Sequence, residues 1–166
     1  MKLIKILMLT LSALSFYSFA ASNCPDKEYR QFDFWLGQWQ VTAPNSKNVS
    51  HSKISLINDG CGILEEYSTP TGFIGKSLNI YNKQTKQWHQ SWTDNTGLLL
   101  LLNGDFIDDK MVLEGNTVDK DGNTVLNRIS WSVNGDHTVR QHWQISTDKD
   151  KMWQTLFDGT YTKVNP

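Results

Sequence analysis

From Gln38 onward the chain alternates apolar and polar residues with a period of two. Turn clusters interrupt the alternation about every 8–12 residues. The breaks include Asn58-Asp59-Gly60, Pro70-Thr71-Gly72, Asn82-Lys83, Asp94 to Gly97, Asp108-Asp109, Asp119 to Gly122, Asn134-Gly135-Asp136 and Thr147 to Asp150. These residues accept positive φ or hydrogen-bond their own backbone, so they end strands for a physical reason. Between them the pattern predicts about ten strands, beginning near Gln38, Val49, Gly62, Phe73, Gln87, Leu98, Lys110, Asn123, His137 and Met152. Ahead of them, Pro25 to Leu36 reads as one short helix with Tyr29, Phe32 and Leu36 on its apolar face and Gly37 ending it. With no helix between strands, the chain predicts an all-β fold, an antiparallel up-and-down barrel whose N-terminal helix closes one end. A two-sheet sandwich is the alternative. The Leu98 to Leu102 run, too short to span a membrane, reads as a strand buried on both faces.

The period of two also sorts side chains by face. Trp88, Gln90 and Trp92 share one face; so do Val139, Gln141, Trp143 and Ile145, and likewise Ile129, Trp131 and Val133. Burying large rings makes these the inward faces, which carries Gln90 and Gln141 inward too. A buried amide needs a partner, either other side chains and waters or a ligand in a Trp-walled cavity. On the strand Gly75 to Tyr81, the polar face Ser77, Asn79 and Tyr81 looks either into a wet cavity or out to solvent. Glu65 and Glu66 are adjacent, so one points in and one out; Glu66 is taken as the inward carboxylate. Arg128 and Arg140 are possible partners for it, although each reads as outward on its own strand.

His137 and His142 are five apart and face opposite ways, and no cluster has zinc spacing, so no metal site is expected. No local nucleophile signature is present and no catalytic residue is assigned. Asp158-Gly159 reads as a bulge.

Lys2, Lys5, the apolar run Ile6 to Phe19 and the small residues Ser18 and Ala20 form a signal-peptide pattern. Cleavage after Ala20 would leave residues 21–166 as a single domain, periplasmic or secreted, with no stable membrane anchor. Removing Lys2 and Lys5 from 16 basic residues leaves 14 against 17 acidic ones, a net charge of −3. No basic stripe appears, which disfavours nucleic acid as a partner. In an oxidising compartment Cys24 and Cys61 are expected to form a disulfide rather than two buried thiols.

Several segments together resemble a widespread bacterial family, often exported and of unknown function. They are Phe32-Asp33-Phe34-Trp35-Leu36-Gly37-Gln38-Trp39-Gln40-Val41, Asp59-Gly60-Cys61 with Leu64-Glu65-Glu66, Ser77-x-Asn79-x-Tyr81, Trp88-x-Gln90-x-Trp92-x-Asp94, Arg128-Ile129-x-Trp131, Val139-Arg140-Gln141-x-Trp143 and Phe157-Asp158-Gly159-x-Tyr161. The resemblance covers nearly the whole chain after the signal and implies a calycin (lipocalin-like) barrel, with no agreed activity. Haem-carrying nitrobindins are similar in strand number and in an early Gly-x-Trp, but they hold haem through a histidine near the chain end. The stretch Met152 to Lys163 has none, so no cofactor is expected.

The first functional expectation is a non-enzymatic protein that binds a small apolar or amphipathic ligand. The cavity is expected between Trp39, Trp92, Trp143 and Trp153, with Glu66, Asn79, Gln90 and Gln141 orienting the ligand. An enzyme using Glu66 as general base is the second. A filled barrel working through its outer surface is the third. Trp39 at the closed end would put any entrance at the opposite rim.

Overall fold

The computed structural model describes residues 23–44, 46–148 and 151–164; the signal-like segment 1–20 lies outside them. Ten strands follow in chain order: β1 Gly37–Thr42, β2 Ser50–Ile57, β3 Gly62–Ser68, β4 Ile74–Asn82, β5 Gln87–Asp94, β6 Leu99–Ile107, β7 Lys110–Val118, β8 Thr124–Val133, β9 Val139–Ser146 and β10 Gln154–Lys163. Every predicted strand start falls within two residues of the observed one. Each strand pairs antiparallel with its chain neighbour, and β1 pairs with β10, so the sheet is a closed barrel. Closure leaves no unpaired edge. The turns hold because Asn58, Asp59, Asp108, Asp109 and the four glycines Gly60, Gly72, Gly97 and Gly122 take the positive φ that reversal of the chain requires.

The N-terminal segment is not one α-helix. It is two 3₁₀ turns, Lys27–Arg30 and Asp33–Trp35. The reason lies in the spacing of its buried rings. Tyr29, Phe32 and Trp35 recur every three residues, the period that a 3₁₀ helix stacks on one face, and all three are buried. Leu36 is already extended, and Gly37 enters β1 at φ 135°, a conformation closed to residues with a Cβ.

This segment is bound to the barrel end at several points. The Cys24–Cys61 disulfide joins it to the β2–β3 turn, as expected, with the Cα atoms 5.2 Å apart. Trp88 Nε1 donates to Gln31 Oε1 at 3.1 Å, Trp39 Nε1 donates to the Trp35 carbonyl at 2.9 Å, and the Arg30 guanidinium donates to the Gly60 carbonyl. Phe32 sits among Phe34, Trp35, Trp88 and Trp131 at ring-centroid distances of 4.9–5.6 Å. Leu102, Met111 and Leu113 complete a packed half-barrel. Reducing the disulfide is expected to cost about 2–4 kcal/mol, because it frees the unfolded chain from a loop whose closure entropy is roughly 4 kcal/mol at this spacing. Chemical denaturation with and without reductant measures the difference, and an unchanged midpoint would contradict it.

Two other expectations are corrected. Leu100 and Leu102 are buried, but Leu99 is 56% and Leu101 45% exposed. The barrel wall has one interior face, so a leucine run on a single strand must send alternate residues outward. The bulge in β10 lies between Thr155 and Phe157, at Leu156, and not at Asp158-Gly159. Asp158 is instead in regular register opposite His142, with its carboxylate held by both Arg140 Nε and Nη2 at 2.7 and 2.8 Å.

Among the described residues no helix is long and apolar enough to cross a membrane.

Candidate functional site

The barrel interior divides into two halves. The end carrying the 3₁₀ turns is filled with rings. Towards the other rim, where the β3–β4 and β5–β6 turns lie, a cavity of about 330 Å³ opens between the strands. Trp92 on β5, Trp143 on β9 and Phe157 on β10 wall it, with Tyr67 and Phe73 nearer the mouth. Its deeper part is polar: Glu65, Gln90, Gln141 and Tyr161.

Strand parity places these groups. On β3, Ile63, Glu65 and Tyr67 face inward, and Leu64 and Glu66 outward. Glu65 is 1% exposed. Its Oε1 accepts from Ser52 Oγ at 2.9 Å and its Oε2 from Ser77 Oγ at 3.1 Å; the Tyr161 hydroxyl lies 3.5 Å from Oε1. The same hydroxyl donates to Gln141 Oε1. Further back, Gln90 Nε2 donates to Asn79 Oδ1 at 2.7 Å, and Asn79 Nδ2 donates to Ser77 Oγ at 2.9 Å. The donors from Gln90 through Asn79 and Ser77 therefore all run toward Glu65. Burial pushes the Glu65 carboxyl up to about 7, against the hydrogen bonds from Ser52, Ser77 and Tyr161. Burial and the adjacent Glu65 carboxylate hold the Tyr161 phenol protonated well above its ordinary range. Asp94, at the rim, behaves oppositely. Burial would raise it, but hydrogen bonds from Thr96, the Trp92 indole and the Thr96 and Leu98 backbone outweigh that and keep it below the usual carboxylate range.

The aromatic walls are held in place. Trp143 Nε1 donates to Asn127 Oδ1 at 3.0 Å, and Asn127 is itself buried and donates to Thr117 Oγ1. Trp92 Nε1 donates to Asp94 Oδ2 at 3.1 Å, and its ring lies flat over Gly75, where a Cβ would fall 2.2 Å from ring carbon Cζ2. Gly75→Ala is therefore expected to push the Trp92 ring out of this position and to destabilise the fold by about 1–3 kcal/mol. The ring's altered surroundings would show in near-ultraviolet circular dichroism; an unchanged spectrum and stability would refute the packing argument.

No known family model matches the chain, and no curated protein resembles it closely enough to count as a relative. The site must therefore be read from its own chemistry.

Of the residues expected to hold a ligand, Gln90, Trp92, Gln141 and Trp143 line the cavity together. Asn79 is buried behind Gln90 and reaches the cavity only through it. Trp39 is buried at the sealed end against Tyr161, with Lys163 Nζ 5.3 Å from its ring, and does not line the cavity. Trp153 lies outside, under the Arg128 guanidinium at 4.0 Å. Glu66 is the clear correction. It lies on the outer face, and its carboxylate accepts from Lys76 Nζ at 2.9 Å. Arg128 and Arg140 also face outward, paired with Glu114 and Asp158.

The expectations missed Glu65, Tyr67, Phe73, Phe157 and Tyr161. For Glu65 a signal existed. It is flanked at two residues on either side by Ile63 and Tyr67, whereas Ser68 shares Glu66's face. For Phe157 and Tyr161 a signal existed too, since they alternate with the polar Asp158, Thr160 and Thr162; what the Leu156 bulge hid is the outward turn of Thr155 and Trp153, which share their parity. Among the described residues no group of three His, Cys, Asp or Glu could hold a metal ion.

Proposed function

We propose that the protein is an exported, lipocalin-like binding protein that holds one small amphipathic molecule in the open half of its barrel without transforming it. The observation that carries this reading is the cavity itself, closed at one end by packed rings, walled by aromatic side chains and floored by hydrogen-bonding groups. That combination of apolar walls with a few convergent polar groups is what small-molecule sites require. The Cys24–Cys61 disulfide supports an oxidising compartment, and the closed ten-stranded antiparallel barrel is compatible with a calycin-like fold. Native mass spectrometry of the protein purified from its own exported fraction tests the reading. A stoichiometric small-molecule adduct is expected, released on denaturation; a bare mass at every purification, together with no heat of binding for any amphipathic probe, would remove it.

A second reading uses the same acid. A buried carboxyl that titrates near neutrality beside a tyrosine is also what general acid–base catalysis needs. It takes the place of the Glu66 mechanism, which Glu66's outward position removes. A carrier returns its ligand with unchanged mass after prolonged incubation, whereas an enzyme yields product.

The outer face of β4–β6 favours a surface role alongside binding. Leu78, Ile80, Leu99 and Leu101 are each 40% exposed or more there, and Leu78 pairs across the sheet with Leu64. Sedimentation velocity of Leu99→Lys against the native protein reports whether this patch drives association.

A further inference from the structure

Resting on the binding reading above, we propose that the ligand carries a protonated amine, with Glu65 as its counter-ion and the ring faces of Trp92 and Trp143 around its apolar body.

The first observation is the charge of the lining. Among the described residues, the carboxylic acids that line the cavity are Glu65 and Asp94, and no lysine, arginine or histidine does. The nearest basic groups on the surrounding strands face outward, with Lys76 on Glu66, Arg128 on Glu114 and Arg140 on Asp158. A fatty acid or other anion would meet two carboxylates and no cation.

The second is the direction of the hydrogen bonds. The network from Gln90 through Asn79 and Ser77, joined by Ser52, delivers its donors to the Glu65 carboxylate. Such a chain stabilises negative charge, yet every donor in it is neutral. A carboxylate offers about four acceptor positions. Ser52 and Ser77 donate to two of them, and the single Tyr161 proton goes to Gln141, which leaves acceptor positions for a donor arriving through the cavity. A neutral polar ligand would be served by Gln90 and Gln141 alone and would give no reason to bury an acid here, which is costly unless a charge meets it.

The third is the wall. Indole faces attract cations through their quadrupole, most strongly where water is excluded. Trp92 and Trp143 stand on β5 and β9 in the open half of the barrel, and Tyr67 and Phe157 line the same cavity as Glu65.

The pH dependence follows. The titratable groups around Glu65 are Tyr67 on its own strand, Tyr161 on β10 and, at the rim of β5, Asp94. Burial holds both phenols neutral, and Asp94 is ionised, so Glu65 alone changes charge between mildly acid and mildly alkaline solution. Protonating Glu65 removes the counter-ion, so amine affinity should fall as pH falls.

Titration calorimetry with three matched probes tests the inference: naphthylethylamine, naphthylethanol and naphthylacetate. At about pH 8 the amine should bind at least about tenfold more tightly than the alcohol, with the acetate weakest. The amine's advantage should shrink at about pH 5.5, where Glu65 is protonated while the amine remains charged. Glu65→Gln should bind amine and alcohol alike. Circular dichroism shows whether that variant folds, and the three-probe comparison on the native protein stands without it. If the alcohol or the acetate binds as tightly as the amine, the amine inference fails while the binding reading stands. If none of the three binds, both fall.

Discussion

Phe32→Ala is expected to destabilise the protein by about 3–5 kcal/mol, the range for removing a fully buried aromatic side chain from a core that cannot collapse around the gap. Phe32 is 0% exposed and contacts four rings from three parts of the chain: Phe34 and Trp35 beside it, Trp88 on β5 and Trp131 on β8. Trp88 and Trp131 belong to different strands of a closed sheet. The wall cannot move inward to fill a void without breaking ladder hydrogen bonds, so the cavity term adds in full to the transfer term. Denaturant titration of the variant against the native chain measures the loss. Leu99→Ala, on the exposed face of β6, is the control and should change stability by no more than about 0.5 kcal/mol. A loss under about 1 kcal/mol for Phe32→Ala would mean that the aromatic plug is not a packed unit.

The second large effect is on pH. Stability should decline by about 3 kcal/mol as pH rises from about 4.5 to about 7.5, and Glu65→Gln should abolish that component. The sign follows from the protons bound. Unfolded, Glu65 titrates near its ordinary 4.5; folded, burial raises it to about 7. Below 4.5 both states are protonated and Glu65 contributes no slope. Between the two values the unfolded chain has released the proton and the folded chain has not, so each pH unit favours unfolding by about 1.4 kcal/mol. Above 7 both are ionised and the cost stays constant. Asp94 and Asp158, both held low, contribute at more acidic pH and in the opposite direction, since they lose stabilisation as pH falls. His142, which burial lowers, works against Glu65 in the upper part of the window, so the native-minus-variant difference is the quantity to measure. A flat difference across this range would show that Glu65 is not desolvated in the folded protein. The same acid links this prediction to the amine-binding one. A bound cation replaces the missing charge partner, so ligand should remove most of the alkaline destabilisation.

The architecture was largely legible. Turn residues work locally, through positive φ and side-chain bonds to their own backbone, and strand starts could therefore be placed without knowing what lay across the barrel. The inward faces of β5, β8 and β9 were equally legible, because tryptophan at alternate positions leaves little choice about which side is buried. Polar positions were harder. The face holding Ser77 and Asn79 is buried, and its apolar counterpart Leu78 and Ile80 exposed, against simple hydrophobic ordering. The cause is Glu65: once a carboxylate is inside, its neighbours on β2 and β4 must be donors, and an apolar inner face there would leave it unpaired. Choosing Glu66 over Glu65 made that logic invisible, since a one-residue error in parity exchanges inside for outside.

By itself, then, the sequence determined what acts over a few residues: ten short strands, the turns that separate them and the faces that turn tryptophans inward. The tertiary structure decided what depends on residues far apart in the chain. It filled one half of the barrel with rings and left the other open, set Thr155 on the face opposite Phe157 through the bulge at Leu156, and put Glu65 where Ser52, Ser77 and Tyr161 converge. Local patterning carries no record of such meetings, because the energy of a buried polar group belongs to its partners as much as to itself.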